Sequence, residues 1–214
     1  MPRNAKLHWR HWNPGLDNDH WTLAEVMSTL PGAGAAQIPF LIRLLENPAS
    51  PLALPGAISL ARHDAVHALL GRGLSVQDEA FVIGFTMGAT QRLREWQRRL
   101  FCWVSSRLYP KVYRFAADDL VVYTMAVNAA RRMPVKDLQD FPFEQHLDMT
   151  LHALRERLGI QVAVLRAFYA KERLIHPASP ASRRLDVDVD GVDPSDIRPP
   201  EGPESDWQRD KGKP

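Results

Sequence analysis

Apolar residues recur along this chain at intervals of three and four, and glycine or proline interrupts them at distances that suit helices. In residues 37–46, for example, Phe40, Leu41, Leu44 and Leu45 stand at helical spacing. The sequence has no clean alternation of apolar and polar residues, which is the pattern of a half-buried strand. The pattern therefore predicts an all-α protein, a single compact domain of about six to eight helices with a disordered C-terminal tail.

Capping signals indicate where the helices begin and end. Thr22 with Glu25 forms a capping-box sequence, Gly71 closes a helix, and Ser75 caps the next one. Helices are predicted over residues 22–29, 37–46, 57–70, 75–87, 90–109, 116–132 and 143–158, and residues 160–172 can continue the last of them. A break is expected at Gly88, and three prolines make residues 47–56 an irregular loop.

Length and composition divide the chain into three parts. It has 214 residues, 45% of them hydrophobic, which suits one domain of about 150–175 residues. We expect an N-terminal arm at 1–21, a helical domain at 22–175 and a tail at 176–214 that is rich in proline and charge and therefore disordered. Residues 186–191 resemble half of a calcium loop, but Ile197 stands where such a loop needs glutamate.

Charge and cysteine usage narrow the partners and the compartment. The formal net charge is only +2, so nucleic acid is not an expected partner. The sequence contains no run of about 18 apolar residues, the length that can span a membrane. Its first residues also lack the apolar stretch of a secretory signal. Cys102, the single cysteine, lies between Phe101 and Trp103, which indicates a buried thiol in a reducing compartment. A cytoplasmic protein is expected.

The predicted helix at 90–109 is rich in arginine, and further basic residues follow its end. Apolar residues form a stripe among them: Leu93, Trp96, Leu100, Trp103 and Val104. Such a helix could lie against lipid headgroups or hold an anionic ligand. The alternative is a solvated arginine face over a stripe that packs against the core.

Four candidate metal ligands fall within seventeen positions: His63, Asp64, His67 and Glu79. At about 100° per residue, His63 and His67 lie about 40° apart on a helix and Asp64 about 100° from His63, so one ion could reach all three. Glu79 stands near the start of the next helix, where the exposed amides favour a carboxylate. A glycine turn could fold that helix back and complete the site.

Two other interpretations remain open for these residues. The histidines could be hydrogen-bonded core or surface residues without a metal, as helical pairs at this spacing often are. His63 and Asp64 could also be the paired residues of a metal phosphohydrolase, with His20 and Asp118 or Asp119 as its other ligands. That second interpretation gives no role to His67 or Glu79.

The pattern His63-Asp64-x-x-His67, eleven residues and then Glu79 resembles the signature of the coenzyme Q (ubiquinone) biosynthesis protein 4 family. Residues 78–86 resemble the helix that carries the family's glutamate, and the similarity is best over residues 54–87. The proline-rich lead-in and the start rich in tryptophan and histidine indicate a divergent, bacterial-type member. The resemblance implies an all-helical protein, often dimeric, that works at the membrane surface in ubiquinone synthesis.

The resemblance also implies a divalent metal and a reaction. His63, His67 and Glu79 would hold the ion, with Asp64 as a fourth ligand or as an acceptor that orients a histidine, and all four would be catalytic. Zinc is the favoured ion, with iron or magnesium as alternatives. The reaction would be oxidative decarboxylation at C1 of a prenylated benzoquinone precursor, which makes the protein an expected lyase or oxidoreductase.

The expected partners follow from the same resemblance. They are the prenylated precursor or a prenyl lipid, the inner face of the membrane as a peripheral contact, other ubiquinone-biosynthesis enzymes and a second copy in a homodimer. The alternative function is a non-catalytic scaffold that binds prenyl lipid and organises the biosynthetic enzymes, with a structural metal.

Overall fold

The computed structural model describes residues 11–31, 54–56 and 58–185, with Leu60 described by its backbone alone. The helices in these ranges are α1 (Leu23–Ser28), α2 (Leu60–Leu70), α3 (Val76–Ala89), α4 (Glu95–Arg107), α5 (Ala117–Arg131), α6 (Leu151–Leu158), α7 (Val162–Ile175) and α8 (Pro180–Arg183). The same residues contain no strand, only one isolated bridge between Thr22 and Thr150. The all-α class is confirmed. The predicted helix at 37–46 and the segment at 186–191 lie outside the described residues.

Helix α3 is the centre of the domain. Every residue from Ala80 to Ala89 is buried, which fits a helix that is apolar on all sides. One side of α3 contributes Phe81, Val82 and Phe85 to a large core shared with the other helices. The other side contributes to a smaller apolar cluster beneath α4 and the start of α5. The helix is therefore held on both sides, which fixes its N-terminal turn in place.

Two glycines let α3 and α5 approach closely. A Cβ at Gly88 would lie 2.7 Å from the carbonyl oxygen of Val127 and 3.0 Å from the Cβ of Ala130. Gly84 makes the same kind of contact one turn earlier, against Tyr123 and Ala126. Because the obstructing atoms are mostly backbone, the helices would have to separate to admit a side chain.

We expect Gly88→Ala to destabilise the protein by about 1–2 kcal/mol, since overpacking outweighs the better helix propensity of alanine. The free energy of unfolding, measured in urea, tests this. Ala167→Gly on the exposed side of α7 is the control and should also destabilise, by about 0.5–1 kcal/mol, through propensity alone. A Gly88→Ala protein more stable than the wild type would contradict the close packing.

Most predicted helix ends are correct, but the start of the helix predicted at 143–158 is wrong, since only residues 151–158 are α-helical. Residues Phe143–Gln145 form one 3₁₀ turn, and α6 begins only after the cap Thr150. The carbonyl groups of Leu147 and Met149 accept hydrogen bonds from the first amides of α1, at 2.8 and 2.9 Å. Residues 147–149 form a turn and a bend in which these carbonyl groups face α1, so a tertiary contact overrides the helical pattern.

Smaller differences concern breaks along the chain. Helix α3 runs through Gly88, and the break lies at residues 90–94, where Gln91 takes a positive φ of 54°. Gly159, with a φ of 74°, ends α6, so residues 160–172 do not continue it; residues 162–172 belong to the separate helix α7. The Cys102 thiol is half-buried rather than fully buried, and that burial raises its pKa.

Both ends of the described chain belong to the folded body. Trp12 and Leu16 from the predicted arm are buried in the core. At the other end, α8 packs against α7, and Ala181, Ser182 and Leu185 are buried. The predicted tail boundary at residue 176 is therefore wrong for residues 176–185, and residues 186–214 lie outside the described ranges.

Helix α4 does not pack its whole apolar stripe. Leu93 and Val104 are buried, but Trp96, Leu100 and Trp103 are exposed. The alternative in which the apolar stripe packs against the core is wrong for these three residues. Helix α4 turns Phe101 and Val104 toward the core, which leaves the other side of the stripe exposed. We call Trp96, Leu100 and Trp103 the tryptophan face.

Candidate metal centre

A glycine turn brings α2 and α3 together. Helix α2 ends at Gly71, which has a φ of 64°, and the next amide, that of Arg72, donates to the carbonyl of His67 at 3.0 Å. Ser75 then caps α3 in a capping box with Asp78, whose carboxylate accepts from the Ser75 amide at 3.0 Å. The turn therefore returns the chain, and the first turn of α3 meets the ligand-bearing side of α2.

Three of the predicted ligands converge at this junction. His63 Nε2 lies 2.8 Å from Glu79 Oε2 and 3.0 Å from His67 Nε2. His67 Nε2 lies 3.3 Å from Glu79 Oε1. The donor atoms form a compact triangle, and in the part of the chain that the structure describes these residues are the group that could hold a metal ion.

Hydrogen bonds alone cannot satisfy all three contacts. Each imidazole Nε2 carries at most one proton, and an ionised carboxylate carries none. The three short contacts therefore share at most two protons. Whichever nitrogen atoms are protonated, one contact brings together either two lone pairs or two protons, and such a contact is repulsive. A cation between the three atoms removes this conflict, because all three lone pairs then point at it.

The size of the triangle also suits a small divalent ion. Metal–ligand bonds of about 2.0–2.1 Å place tetrahedral ligands roughly 3.3 Å apart, and octahedral neighbours roughly 3.0 Å apart. The observed separations of 2.8, 3.0 and 3.3 Å lie close to both values. Two imidazoles and a carboxylate suit zinc or iron(II) better than magnesium, which prefers oxygen ligands.

The site is buried on one side and accessible on the other. The His67 side chain is 0% exposed, whereas those of His63 and Glu79 are 17% and 32% exposed. Burial would raise the pKa of Glu79, but His67 and His63 lower it well below its usual range. The carboxylate is therefore ionised at neutral pH, and a small molecule could reach the centre from the side of His63 and Glu79.

Asp64 is not one of the three converging residues. Burial raises its pKa, and the neighbouring His63 and His67 partly oppose that shift. Within the described residues, Nδ1 of His67 is buried without a hydrogen-bond partner, so Asp64 does not orient that ring. A role for Asp64 as a fourth ligand or in catalysis stays a prediction.

The phosphohydrolase interpretation gains no support from the placement of its other residues. The His20 ring lies against Trp21, and Asp118 faces His176 at 3.7 Å. Asp119 accepts from the amide of Ala116 at the start of α5. None of these residues belongs to the His63, His67 and Glu79 group in the described part of the chain.

A buried ion pair that the sequence did not indicate supports the turn. Arg72 is completely buried, and its guanidinium makes two hydrogen bonds to Glu172 of α7, at 2.9 and 3.1 Å. Asp78 contacts the same guanidinium at 3.2 Å, and the Phe81 and Tyr169 rings lie against it. Burial would lower the pKa of Arg72, but the two carboxylates raise it.

The C-terminal segment completes this arrangement. Gln77 donates to Glu172 at 2.6 Å and to Ser182 at 2.7 Å, and Arg184 donates to Asp78 at 2.9 Å. The connection between the two ligand helices is therefore anchored to α7 and to residues 179–184. The only signal in the sequence was an arginine between two glycines, which does not reveal its distant partner.

The fold and the site define a class: an all-α protein with a two-histidine, one-glutamate group that could hold a metal ion. Comparison with known proteins adds no narrower assignment, since no family model, curated protein or solved structure matches this chain. None of the helices in the described ranges is long and apolar enough to cross a membrane.

Proposed function

We propose that this protein binds a divalent metal through His63, His67 and Glu79 and catalyses oxidative C1 decarboxylation of a prenylated benzoquinone precursor. The observation that carries the proposal is the convergence of three donor atoms within 3.3 Å of one another across two helices. The substrate class comes from the resemblance of the His63-Asp64-x-x-His67 and Glu79 pattern to the ubiquinone-biosynthesis family. The proposed location is the cytoplasmic side of a membrane, where such a precursor would lie.

The reaction needs two further reactants, dioxygen and a two-electron donor. The bond between ring carbon C1 and the carboxylate breaks, and the carboxylate leaves as carbon dioxide. One oxygen atom of dioxygen becomes the new ring hydroxyl, and the other becomes water with two electrons and two protons from the donor. The bound ion would supply either a Lewis acid for the ring carboxylate, as zinc does, or the one-electron chemistry of iron(II).

The chain's own residues have distinct parts in this proposal. His67 anchors the centre from the buried side, and His63 and Glu79 border the accessible side. Three protein ligands leave further coordination positions for a substrate group. The anionic Glu79 also balances the charge of the ion, which lowers the cost of holding a cation inside the fold.

Turnover of a prenylated hydroxybenzoate tests the catalytic proposal. We expect metal-loaded protein, supplied with dioxygen and a two-electron donor, to release carbon dioxide and form the ring hydroxyl, with labelled oxygen from dioxygen in the product. Glu79→Gln should reduce the rate by about 100-fold or more, since it removes a ligand charge without changing side-chain size. A metal-loaded wild type that leaves the ring carboxylate intact would refute catalysis.

A scaffold function is the second candidate. The exposed Trp96 and Trp103 favour it, because exposed apolar surface of this kind often marks a binding face. In this case the protein would bind prenyl lipid and other biosynthetic enzymes, and the metal would be structural. The turnover assay separates the two functions, since a scaffold would bind the ion but leave the ring carboxylate of the prenylated hydroxybenzoate intact.

A further inference from the structure

The tryptophan face is the largest apolar feature of helix α4 that the fold leaves uncovered. Trp96 is 58% exposed and Trp103 is 55% exposed, with Leu100 between them at 38%. At about 100° per residue, the three side chains lie within roughly 60° of the helix circumference. Leu108 and Val112 follow directly after the helix and are exposed as well, at 50% and 72%.

Positive charge borders this face on its own segment. Residues 91–114 carry seven arginines or lysines and one acid, Glu95, which gives a formal charge of +6 on a chain whose total is only +2. The basic residues are Arg92, Arg94, Arg98, Arg99, Arg107, Lys111 and Arg114. Glu95 is already paired with Arg98 and Arg99, at 2.6 and 3.1 Å. Arg92 also pairs with Asp137, which lies outside the segment, and the other basic residues leave the segment with an excess of positive charge.

We propose that the tryptophan face docks onto an anionic phospholipid surface. Tryptophan combines a large apolar ring with a polar N–H and is enriched at the boundary between lipid and water. Helices that lie in this boundary carry tryptophan or leucine on one side and basic residues on the other. Helix α4 has both features and lies in the plane of the lipid surface with its buried side, Phe101 and Val104, turned toward the protein core.

Charge argues against a second copy of this chain as the occupant. In a symmetric dimer through this face, two segments of +6 would lie against each other, and like charges at an interface are unfavourable. Anionic headgroups replace this repulsion with attraction, because they carry the opposite charge to the same residues. The inference shares with the proposed function its location at a membrane, but it does not depend on the metal or on catalysis.

Vesicle binding tests the inference directly. We expect the full-length protein to bind vesicles made of equal parts phosphatidylglycerol and phosphatidylcholine, with tryptophan emission shifted to shorter wavelengths. Binding to pure phosphatidylcholine should be weaker by about tenfold or more, and added salt should weaken binding to the anionic vesicles. Equal binding to both vesicles, or binding to neither, would overturn the inference.

Paired variants locate the face. Trp96→Ala with Trp103→Ala should reduce binding by at least about tenfold, since each replacement removes the exposed half of a large apolar ring from contact with lipid. Arg107→Gln with Lys111→Gln should weaken binding and flatten its dependence on salt. The control pair, Leu174→Ala with Ile175→Ala, alters two exposed apolar residues at the end of α7, each 40% exposed, and should leave binding unchanged.

Two further measurements distinguish docking from misfolding and from self-association. The urea midpoint and metal content of each variant should match the wild type, which shows that the fold and the metal centre are intact. Sedimentation should show the same mass for the wild type and for the tryptophan variant. A dimer that disappears when Trp96 and Trp103 are replaced would overturn the proposal in favour of a self-association face.

Discussion

Glu79→Gln is expected to lose its metal while the protein stays folded. Glutamine has the size of glutamate but no charge, and it can replace neither the carboxylate ligand nor the balance of charge at the centre. Wild-type protein should hold roughly one ion per chain, and the variant should bind at least about 100-fold more weakly. Elemental analysis after dialysis and titration against a competing chelator measure both quantities.

The histidine variants sharpen this test. His63→Ala and His67→Ala should lose the ion as well, but His67 is fully buried, so its replacement also leaves a cavity and lowers stability. His152→Ala is the matched control. It removes an exposed histidine that faces a carboxylate, Glu156, at 3.5 Å, and it should keep the ion. A wild-type protein that takes up neither zinc nor iron(II) would contradict the site.

Arg72→Met should lower the free energy of unfolding by about 3–5 kcal/mol. The change leaves Glu172 buried without its cation, and a buried charge that has lost its partner is expensive. Asp78 loses one of its two cations and keeps Arg184. Chemical denaturation in urea measures the loss.

The same variant should also weaken metal binding, although Arg72 is not a ligand. Arg72 lies in the turn between the helices that carry His67 and Glu79, so its loss loosens their relative placement. The matched control is Arg62→Met, next to His63. Arg62 pairs with the exposed Glu144 at 3.0 Å and donates to the carbonyl of Gln139 at 2.8 Å, and losing both contacts should cost about 1–2 kcal/mol. An Arg72→Met protein as stable as Arg62→Met would contradict the role of the buried pair.

Local signals in the sequence were sufficient to predict the junction of α2 and α3 at which the candidate metal centre lies. The left-handed Gly71 and the cap at Ser75 each depend on a few neighbouring residues, and both are confirmed. Because these signals set the direction in which α3 leaves the turn, the meeting of His63, His67 and Glu79 could be predicted without knowledge of the rest of the fold.

Features that depend on distant contacts could not be predicted. The turn before α6 replaces the predicted helix because Leu147 and Met149 accept hydrogen bonds from the start of α1, far away in the sequence. The helical period placed Trp96 and Val104 in one stripe, but it could not say which part of the stripe the core would cover. Likewise, nothing near Arg72 identifies Glu172 as its partner.

The two parts of the centre differ in how soon they can form during synthesis. His63 and Glu79 are 16 residues apart, so their contact is local and can close early. Arg72 and Glu172 are separated by 100 residues, and at about 5–20 residues per second the partner emerges roughly 5–20 s later. An ion captured by the nascent chain would therefore join α2 and α3 before the buried pair exists, and the metal could act as a folding template as well as a ligand.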